Sequence, residues 1–537
     1  MPDSDQKTMT SVSKISFAVF VSRVFGVFRE SLFAKLFGSG FYAEAYVVAY
    51  RIPNLLRDLF AEGALSSAFV PLFTRILKQE GKSAAFRFGN LVLTGLFLVT
   101  LLISIAGFFY TSEIVQMMAS GFEETPEKYE VGIWMTRILI PTFMLISLSA
   151  VFMGMLNAQK HFFVPALAPA LFNVISVVSG IYLCFSSHPE AQLAFIWCIF
   201  TVVSTFAQLF CQVPTAWKTG WRPQIKLAGL FSNTDLRKMV GLMLPAVLGV
   251  AIVNINVFVN TRFASNIQGG LAHLNYAFRI FYLPIGMFGV ALGTVAATIV
   301  AELLSEKKYE ALQNYLSHTL KLNCLLTLPC TLGLIVLSFP TVEILFERGQ
   351  FTAQDTRQTS LALCAYLVGL VPFTSTKILV PVFFALESSK LSLIASCTAV
   401  LSNFLFNYWT HKWLGSIGIA FGISLATFVQ IGLLNYFLAK KIGALNWRDL
   451  GIFFGKTFLA TLGMAVVTLI VFWGGIRLIS VIGISGGRTF WVAFWLFSSI
   501  LASVMSYFFL CQKLNLTEVK EILDVFQKIR KKLIRPK

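Results

Sequence analysis

The sequence predicts an all-α integral membrane protein of about fourteen transmembrane helices. Of its 537 residues, 56% are hydrophobic and only 13% are charged, and the mean hydropathy is +0.75. Soluble globular chains carry about 25% charged residues, so a soluble fold is excluded. Twelve stretches lack Asp, Glu, Lys and Arg over about the 20 residues that cross ~30 Å of hydrocarbon. They are 88–112, 138–159, 161–189, 191–217, 239–261, 280–301, 322–342, 358–376, 391–411, 413–439, 457–476 and 489–512.

Two further apolar segments, 15–37 and 41–75, are interrupted by charge and bring the predicted helices to fourteen. Alternate connections between the helices are basic, and cytoplasmic connections carry the excess of Lys and Arg. Both termini are therefore predicted to be cytoplasmic. The basic connections contain Arg75, Lys78, Lys82 and Arg87; Lys160; Lys218, Arg222, Lys226, Arg237 and Lys238; Lys307, Lys308 and Lys321; and Lys440, Lys441 and Arg448.

The net charge of +18 lies in these connections and in the C-terminal tail, so we expect no nucleic-acid partner. All eight cysteines lie in apolar runs without a CxxC pair, which predicts neither a disulfide framework nor a metal site, and no cofactor is expected. The tail 513–537 has apolar residues at helical spacing and ends in basic residues. It fits an amphipathic helix on the anionic cytoplasmic leaflet or a basic topogenic tail.

An internal repeat divides the chain. Ala49-Tyr50-Arg51-Ile52 recurs as Ala277-Phe278-Arg279-Ile280, and Gly121-Phe122 recurs as Gly349 and Phe351. Together with Pro141/Pro372 and Asn173/Asn403, the offset stays between 228 and 231 residues. We therefore expect two six-helix lobes in parallel repeat, 1–217 and 218–440, then an extra helix pair, 441–512, and the tail. Two such lobes are typical of alternating-access transporters.

Charged residues concentrate in the first two predicted helices, although a charge at the centre of a spanning helix costs about 2.5–3.5 kcal/mol. Several are seven residues apart and so share one helical face, which predicts a protein interior or a wet cavity. Pro53 and Pro284 follow two of these positions and can loosen the helix. The charged residues are Arg23, Arg29 and Glu30 in the first helix, and Glu44, Arg51, Arg57, Asp58 and Glu62 in the second.

The arginines suit an anionic substrate, because a guanidinium donates two parallel hydrogen bonds to phosphate or pyrophosphate. Arg279, the repeat partner of Arg51, and Lys377 add cations from the second half. The alternative is that Arg23–Glu30 and Arg51–Asp58 neutralise each other as ion pairs. We expect Arg23, Arg29, Arg51, Arg57 and Arg279 to bind substrate, and Glu30, Glu44, Asp58, Glu62 and Lys377 to form ion pairs or a gate.

Several segments resemble the MurJ (MviN) family of lipid II flippases. The resemblance runs from about residue 13 to 440 and is densest in the first 75. The segments are Ser22-Arg23-Val24-Phe25-Gly26-Val27-Phe28-Arg29-Glu30, Tyr50-Arg51-Ile52-Pro53-Asn54-Leu55-Leu56-Arg57-Asp58-Leu59-Phe60-Ala61-Glu62-Gly63-Ala64, Ala68-Phe69-Val70-Pro71, Gly154-Met155-Leu156-Asn157, Pro165-Ala166-Leu167-Ala168-Pro169 and Gly289-Val290-Ala291-Leu292-Gly293-Thr294.

The resemblance implies a fourteen-helix exporter of the multidrug/oligosaccharidyl-lipid/polysaccharide class. It would move lipid II, the undecaprenyl-pyrophosphate-linked peptidoglycan precursor, across the bacterial inner membrane. It also implies that Arg23, Arg29, Arg57 and Arg279 line the central cavity and that the last two helices guide the lipid tail. Its expected partners are lipid II, membrane lipids and cell-wall synthesis proteins. Asn260, Asn403 and Asn407 stand where some members bind sodium through aspartates, which argues against a sodium site, and the energy source stays open.

Three rival functions remain. The cargo could be another anionic lipid-linked glycan. A multidrug exporter of the same superfamily would need acidic residues for cationic drugs, which the excess of arginine disfavours. A membrane glycosyltransferase would need catalytic carboxylates beside a large loop, and the longest loops, near 113–137 and 218–238, are too small for a domain.

Overall fold

The computed structural model describes residues 2–59, 64–227, 229–230, 232–482, 487–516 and 518–519. Glu62 and most of the predicted amphipathic tail lie outside the described residues. Within these ranges the chain is helical and contains no strand, as the sequence predicts. The helices are α1 (Pro2–Phe37), α2 (Phe41–Arg57), α3 (Ala64–Gln79), α4 (Gly81–Phe109), α5 (Thr111–Met118), α6 (Pro126–Ala158), α7 (Phe163–Cys184), α8 (Glu190–Phe210), α9 (Val213–Lys218), α10 (Thr234–Ala264), α11 (Gly270–Pro284), α12 (Val290–Ser305), α13 (Tyr309–Val336), α14 (Ser338–Phe346), α15 (Ala353–Val368), α16 (Leu370–Ala385), α17 (Ser389–Ile442), α18 (Trp447–Ile482) and α19 (Arg488–Lys513).

Nine helical segments of the described chain are long and apolar enough to cross a membrane. The number is ten if α15 and α16, which meet at 47°, form one span. The predicted spans 15–37, 41–75 and 239–261 are helical in α1, α2–α3 and α10 but are not among these segments. The chain is therefore a multi-pass membrane protein, and the count of fourteen stays a prediction.

The 54 residues of α17 form a helical hairpin. Gly415, with φ 55° and ψ −138°, is the turning point. On either side of it, the rings of Phe406 and Phe421 lie 5.7 Å apart, and Gln430 Nε2 donates to Ser396 Oγ at 3.0 Å. A straight helix would separate residues 396 and 430 by about 50 Å. The two arms correspond to the two charge-free stretches 391–411 and 413–439.

The chain divides into two compact units. Unit 1 comprises Met1–Ala272 and Phe346–Thr352, and unit 2 comprises His273–Leu345 and Ala353–Lys537. The helix α10 belongs to unit 1 because it packs against α3, α4 and α5. The division at Ala272 therefore differs in place from the predicted boundary at 217, and the two six-helix lobes, the helix pair and the tail stay predictions.

Small residues and hydroxyl hydrogen bonds between helices hold the helices of each unit together. In unit 1, α1 packs on α7 and α6 packs on α2, α4 and α8, and Gly154 leaves room for the buried ring of Phe69. In unit 2, Gly293 meets the backbone of Lys377, and Ser424 Oγ donates to the Ala365 carbonyl at 2.6 Å. Helices in lipid associate through such close approaches, because lipid tails are as apolar as the helix surfaces.

Candidate functional site

Arg29, a predicted substrate-binding cation, is largely enclosed by the helices around it. It lies on α1 in unit 1, and its side chain is 14% exposed. Its Nη2 lies 2.5 Å from Glu30 Oε1, its Nη1 donates to Asn173 Oδ1 at 3.0 Å, and its Cζ lies 5.3 Å from the Phe172 ring centroid. A guanidinium has five N–H donors, so these contacts orient the group without using all its donors. Arg23, also on α1, is exposed.

Asn173 on α7 holds this part of α1 in place. Its Nδ2 donates to the Ser22 carbonyl at 2.9 Å and lies 3.3 Å from Ser22 Oγ, while its Oδ1 accepts from Arg29. Residues 22 and 29 are two turns apart on one face of α1. The amide packs directly against Gly26, between them, since a Cβ there would be in van der Waals contact with Asn173 Nδ2 at 3.6 Å. One amide thus fixes both the helix and the guanidinium.

Two arginines on α2 have different surroundings. Arg51 Nη1 donates to Thr261 Oγ1 of α10 at 2.6 Å. Arg57 pairs with the adjacent Asp58, with 2.8 Å between Nη2 and Oδ1, and its side chain is 25% exposed. Pro53 lies between the two arginines and lacks an N–H, which interrupts the backbone hydrogen bonds of α2. Arg51 is therefore held across two helices, whereas Arg57 stays at the surface of the unit.

Glu44 forms an ion pair with Lys128, a partner that the sequence did not predict. The side chain is 2% exposed. Its Oε2 lies 2.5 Å from Lys128 Nζ, and its Oε1 accepts a hydrogen bond from the Leu271 backbone N–H at 3.1 Å, at the start of α11. Lys128 also lies 4.4 Å from the Phe122 ring centroid. Glu44 therefore joins α2, α6 and the first turn of α11.

Arg279 and Lys377, the two predicted cations of unit 2, have different surroundings. Arg279 on α11 is exposed and follows Phe278, whose ring centroid lies 5.8 Å from that of Tyr366. Lys377 Nζ on α16 lies 5.3 Å from the Phe373 ring centroid. Downstream of Arg279, α11 ends at Pro284 and a π-helical turn, Ile285–Gly289, leads into α12. The predicted loosening of this helix after the arginine is thus present as a π-turn.

Glu30 and Asp58 form ion pairs with arginines other than those that the spacing suggested. The alternative interpretation paired residues seven apart, Arg23 with Glu30 and Arg51 with Asp58. The structure shows Arg29–Glu30 and Arg57–Asp58, both between chain neighbours. A guanidinium on a long, flexible side chain can fold back to the next residue, so a shared helical face does not decide the pairing.

Sequence reasoning missed Lys128, Thr261 and Asn254 as partners of the charged helices. Asn254 Nδ2 donates to the Leu55 carbonyl at 3.1 Å. The only signal for Lys128 is its position as a cation among Glu124, Glu127 and Glu130. Thr261 and Asn254 are ordinary polar residues of a spanning helix, and their contacts depend on how α10 packs.

The described residues contain no group of three His, Cys, Asp or Glu side chains that could hold a metal ion. Asn403 and Asn407, the residues considered above for a sodium site, are fully buried in α17, and Asn407 Nδ2 donates to Asn403 Oδ1 at 3.2 Å.

Comparisons with known proteins identify the family. The family described as lipid II flippase MurJ matches residues 33–479. The probable lipid II flippase MurJ of Rhizobium meliloti is 33% identical over 418 residues, which are 78% of each chain. The lipid II flippase MurJ of Burkholderia cenocepacia is 31% identical over 80% of this chain and 83% of its own. That of Rickettsia prowazekii, named as probable, is 29% identical over 85% and 89%.

Solved structures agree with the sequence matches. A lipid II flippase MurJ in an inward closed conformation superposes with a TM-score of 0.74 at 25% identity, over 93% of this chain and 99% of its own. An inward-facing multidrug resistance MATE family transporter of the MOP superfamily shares the fold, with a TM-score of 0.64 at 19% identity over 81% of this chain and 99% of its own. This chain is therefore a member of the lipid II flippase MurJ family.

Proposed function

We propose that the chain is a lipid II flippase, a transporter and not an enzyme. It moves the undecaprenyl-pyrophosphate-linked peptidoglycan precursor from the inner to the outer leaflet by alternating access. Its location is the bacterial inner membrane, with both termini in the cytoplasm. The observation that carries the proposal is a set of arginines on apolar helices in a member of this family, because the common chemical feature of such a cargo is its pyrophosphate.

The arginines are proposed to bind the pyrophosphate through paired hydrogen bonds. Each hydrogen bond to a charged group contributes about 1.5–3 kcal/mol. Arg29 keeps N–H donors for the anion while Glu30 and Asn173 orient it. Arg57, at 25% exposure, can exchange Asp58 for a phosphate with little loss of ion pairing. Arg23 and Arg279 are exposed and add positive charge for the anion.

The carboxylates have a second role in this proposal. Without cargo, Glu30 and Asp58 balance Arg29 and Arg57, so the empty protein does not keep unbalanced cations in the membrane. When the anion binds, it takes over part of that balance and favours the conformation in which it has the most cationic partners. The membrane potential or an ion gradient then resets the empty protein.

The test is complementation of a bacterium whose own lipid II flippase can be shut off, with growth and externally accessible lipid II as readouts. Wild type is compared with Arg29→Ala, Arg29→Lys and Arg279→Ala. Arg87→Ala is the matched control, since it removes an exposed arginine from a predicted cytoplasmic connection. All variants are checked for equal amounts in the membrane.

We expect rescue by wild type and Arg87→Ala, and failure of Arg29→Ala and Arg279→Ala. Arg29→Lys keeps the charge but loses the planar fork, so we expect weak rescue. If well-expressed wild type left lipid II inside, lipid II would not be the cargo. Proteoliposomes loaded with other undecaprenyl-pyrophosphate glycans would then decide whether a different anionic lipid is moved. Efflux of cationic drugs by wild type would instead support a multidrug exporter.

A further inference from the structure

Two loops contact the C-terminal ends of α1 and α10 in matching ways. We call the contact of Lys35–Gly38 with Gly349 and Gln350 the α1 latch. We call the contact of Arg262–Asn266 with Met117–Gly121 the α10 latch. All these residues belong to unit 1, although the helices α14 and α15 that flank residues 346–352 belong to unit 2 apart from Phe346.

The α1 latch is a close approach of two backbones. The Gln350 N–H donates to the Lys35 carbonyl at 3.0 Å. That carbonyl lies in the last turn of α1, where backbone acceptors lack helical partners. Gly38 and Gly349 both have positive φ, 54° and 61°. Each glycine faces the backbone of the other segment. A Cβ at Gly38 would collide with the Gln350 carbonyl, and one at Gly349 with the Lys35 carbonyl.

The α10 latch has the same character. The Gly121 N–H donates to Ser265 Oγ at 3.1 Å, and Arg262 Nη1 donates to the Met117 carbonyl at 2.9 Å. A Cβ at Gly121 would collide with the Ser265 carbonyl and the Asn266 nitrogen. Here too, a loop backbone without a side chain lies directly on the end of a long helix.

The internal repeat relates the two latches. Gly349 follows Gly121 by 228 residues, and Asn266 follows Gly38 by the same offset. The loop of the first half therefore contacts the first helix of the second half, and the loop of the second half contacts the first helix of the first half. The exchange is reciprocal, so each latch joins one half of the sequence to the other.

We propose that the two latches close the non-cytoplasmic side of the transporter and release together when cargo leaves. The proposal rests on the transport function and orientation given above. Residues 38–40 and 119–124 follow odd-numbered predicted helices, which places both latches outside the cytoplasm if the termini are inside. Because each latch joins one half of the sequence to the other, we expect the loss of one latch to weaken the other. In both latches a glycine lets the two backbones approach so closely that a side chain there would force them apart.

The test is hydrogen–deuterium exchange of the full-length protein in lipid nanodiscs, followed in the peptides that contain residues 119–124 and 346–352. The variants are Gly349→Ala and Gly38→Ala for the α1 latch and Gly121→Ala for the α10 latch. Gly81→Ala is the control, since Gly81 also has positive φ, 86°, but nothing lies within 4 Å of a Cβ there. Gly451→Ala, also with open space, is the control for Gly121.

We expect exchange in both peptides to rise about fivefold or more in each latch variant, which corresponds to loss of about one hydrogen bond. Both controls should match wild type. Exchange unchanged in all three variants would overturn the latches, and a rise only in the peptide of the altered latch would overturn their joint release. If the glycine variants do not fold, the same exchange measurement on Ser265→Ala tests the α10 latch and its coupling to the α1 latch. This variant removes the hydroxyl that accepts from the Gly121 N–H without adding volume. The readout needs no substrate, so it tests the latches even if lipid II is not the cargo.

Discussion

The ammonium of Lys128 lies 2.5 Å from the buried carboxylate of Glu44, which precedes it by 84 residues in the chain. The same carboxylate accepts a hydrogen bond from the first turn of α11, so one side chain connects three segments of unit 1. The side chains are 12% and 2% exposed. A buried pair of this kind contributes little net stability against an apolar replacement, but the loss of one member is costly.

We therefore expect Lys128→Ala to lower the free energy of unfolding by about 3–5 kcal/mol, because it leaves Glu44 buried without its cation. The measurement is the thermal unfolding midpoint of the purified protein in detergent. The double variant Glu44→Gln with Lys128→Met should recover most of the loss. A Lys128→Ala protein as stable as the double variant would contradict this account.

The ion pair between Arg75 and Asp235 should behave differently at the same nitrogen–oxygen distance of 2.5 Å. Its side chains are 38% and 27% exposed, so water and salt screen the attraction. We expect Asp235→Asn to cost less than about 1 kcal/mol and to lose its effect in 0.5 M salt. The same unfolding assay, run at low and high salt, checks this. A loss as large as that of Lys128→Ala would show that burial does not decide between the two pairs.

Asn173 should act as a positioning residue for Arg29. We expect Asn173→Ala to reduce lipid II transport by about tenfold or more, since a hydrogen bond to a charged group is lost. Ser22→Ala is the control, because Asn173 keeps the Ser22 carbonyl at 2.9 Å and loses only the hydroxyl contact at 3.3 Å. Transport is measured in proteoliposomes, with protein amount and thermal stability checked in parallel. Equal activity of both variants would remove Asn173 from the binding mechanism.

Gly415→Ala should destabilise the α17 hairpin by about 1–3 kcal/mol, because φ 55° with ψ −138° is a conformation that residues with a Cβ avoid. Gly432→Ala, on the second arm with nothing within 4 Å of a Cβ, should be neutral or slightly stabilising. The comparison needs only the thermal midpoints of the two variants. A neutral Gly415→Ala would show that the turn tolerates another backbone conformation.

Local composition was enough to predict the helices. Charge-free stretches such as 88–112 and 161–189 become α4 and α7, because backbone groups in lipid must bond within a helix. The break between 391–411 and 413–439 was found through Lys412, although the backbone turns three residues later at Gly415. The composition of a span does not fix its bounds more closely than this.

The contacts of the charged side chains were less predictable. Spacing placed Glu44, Arg51 and Asp58 on one helical face, but their partners lie on α6, on α10 and on the preceding residue in the chain, respectively. Such partners depend on which helices become neighbours, and a single sequence does not contain that information. The likeness to known flippases predicts a role for the arginines but does not point to Lys128 or Thr261.

The Gly415 turn also bears on how the protein enters the bilayer during synthesis. Only one residue between the arms of α17 leaves the helical conformation. The arms are therefore not joined by a loop long enough to stay in water after the first arm has inserted. Tyr408, Trp409 and Trp413 beside the turn are 61%, 76% and 89% exposed, and tyrosine and tryptophan favour the boundary between lipid and water. We therefore expect the two arms to insert as a pair, with these aromatic rings at the lipid–water boundary.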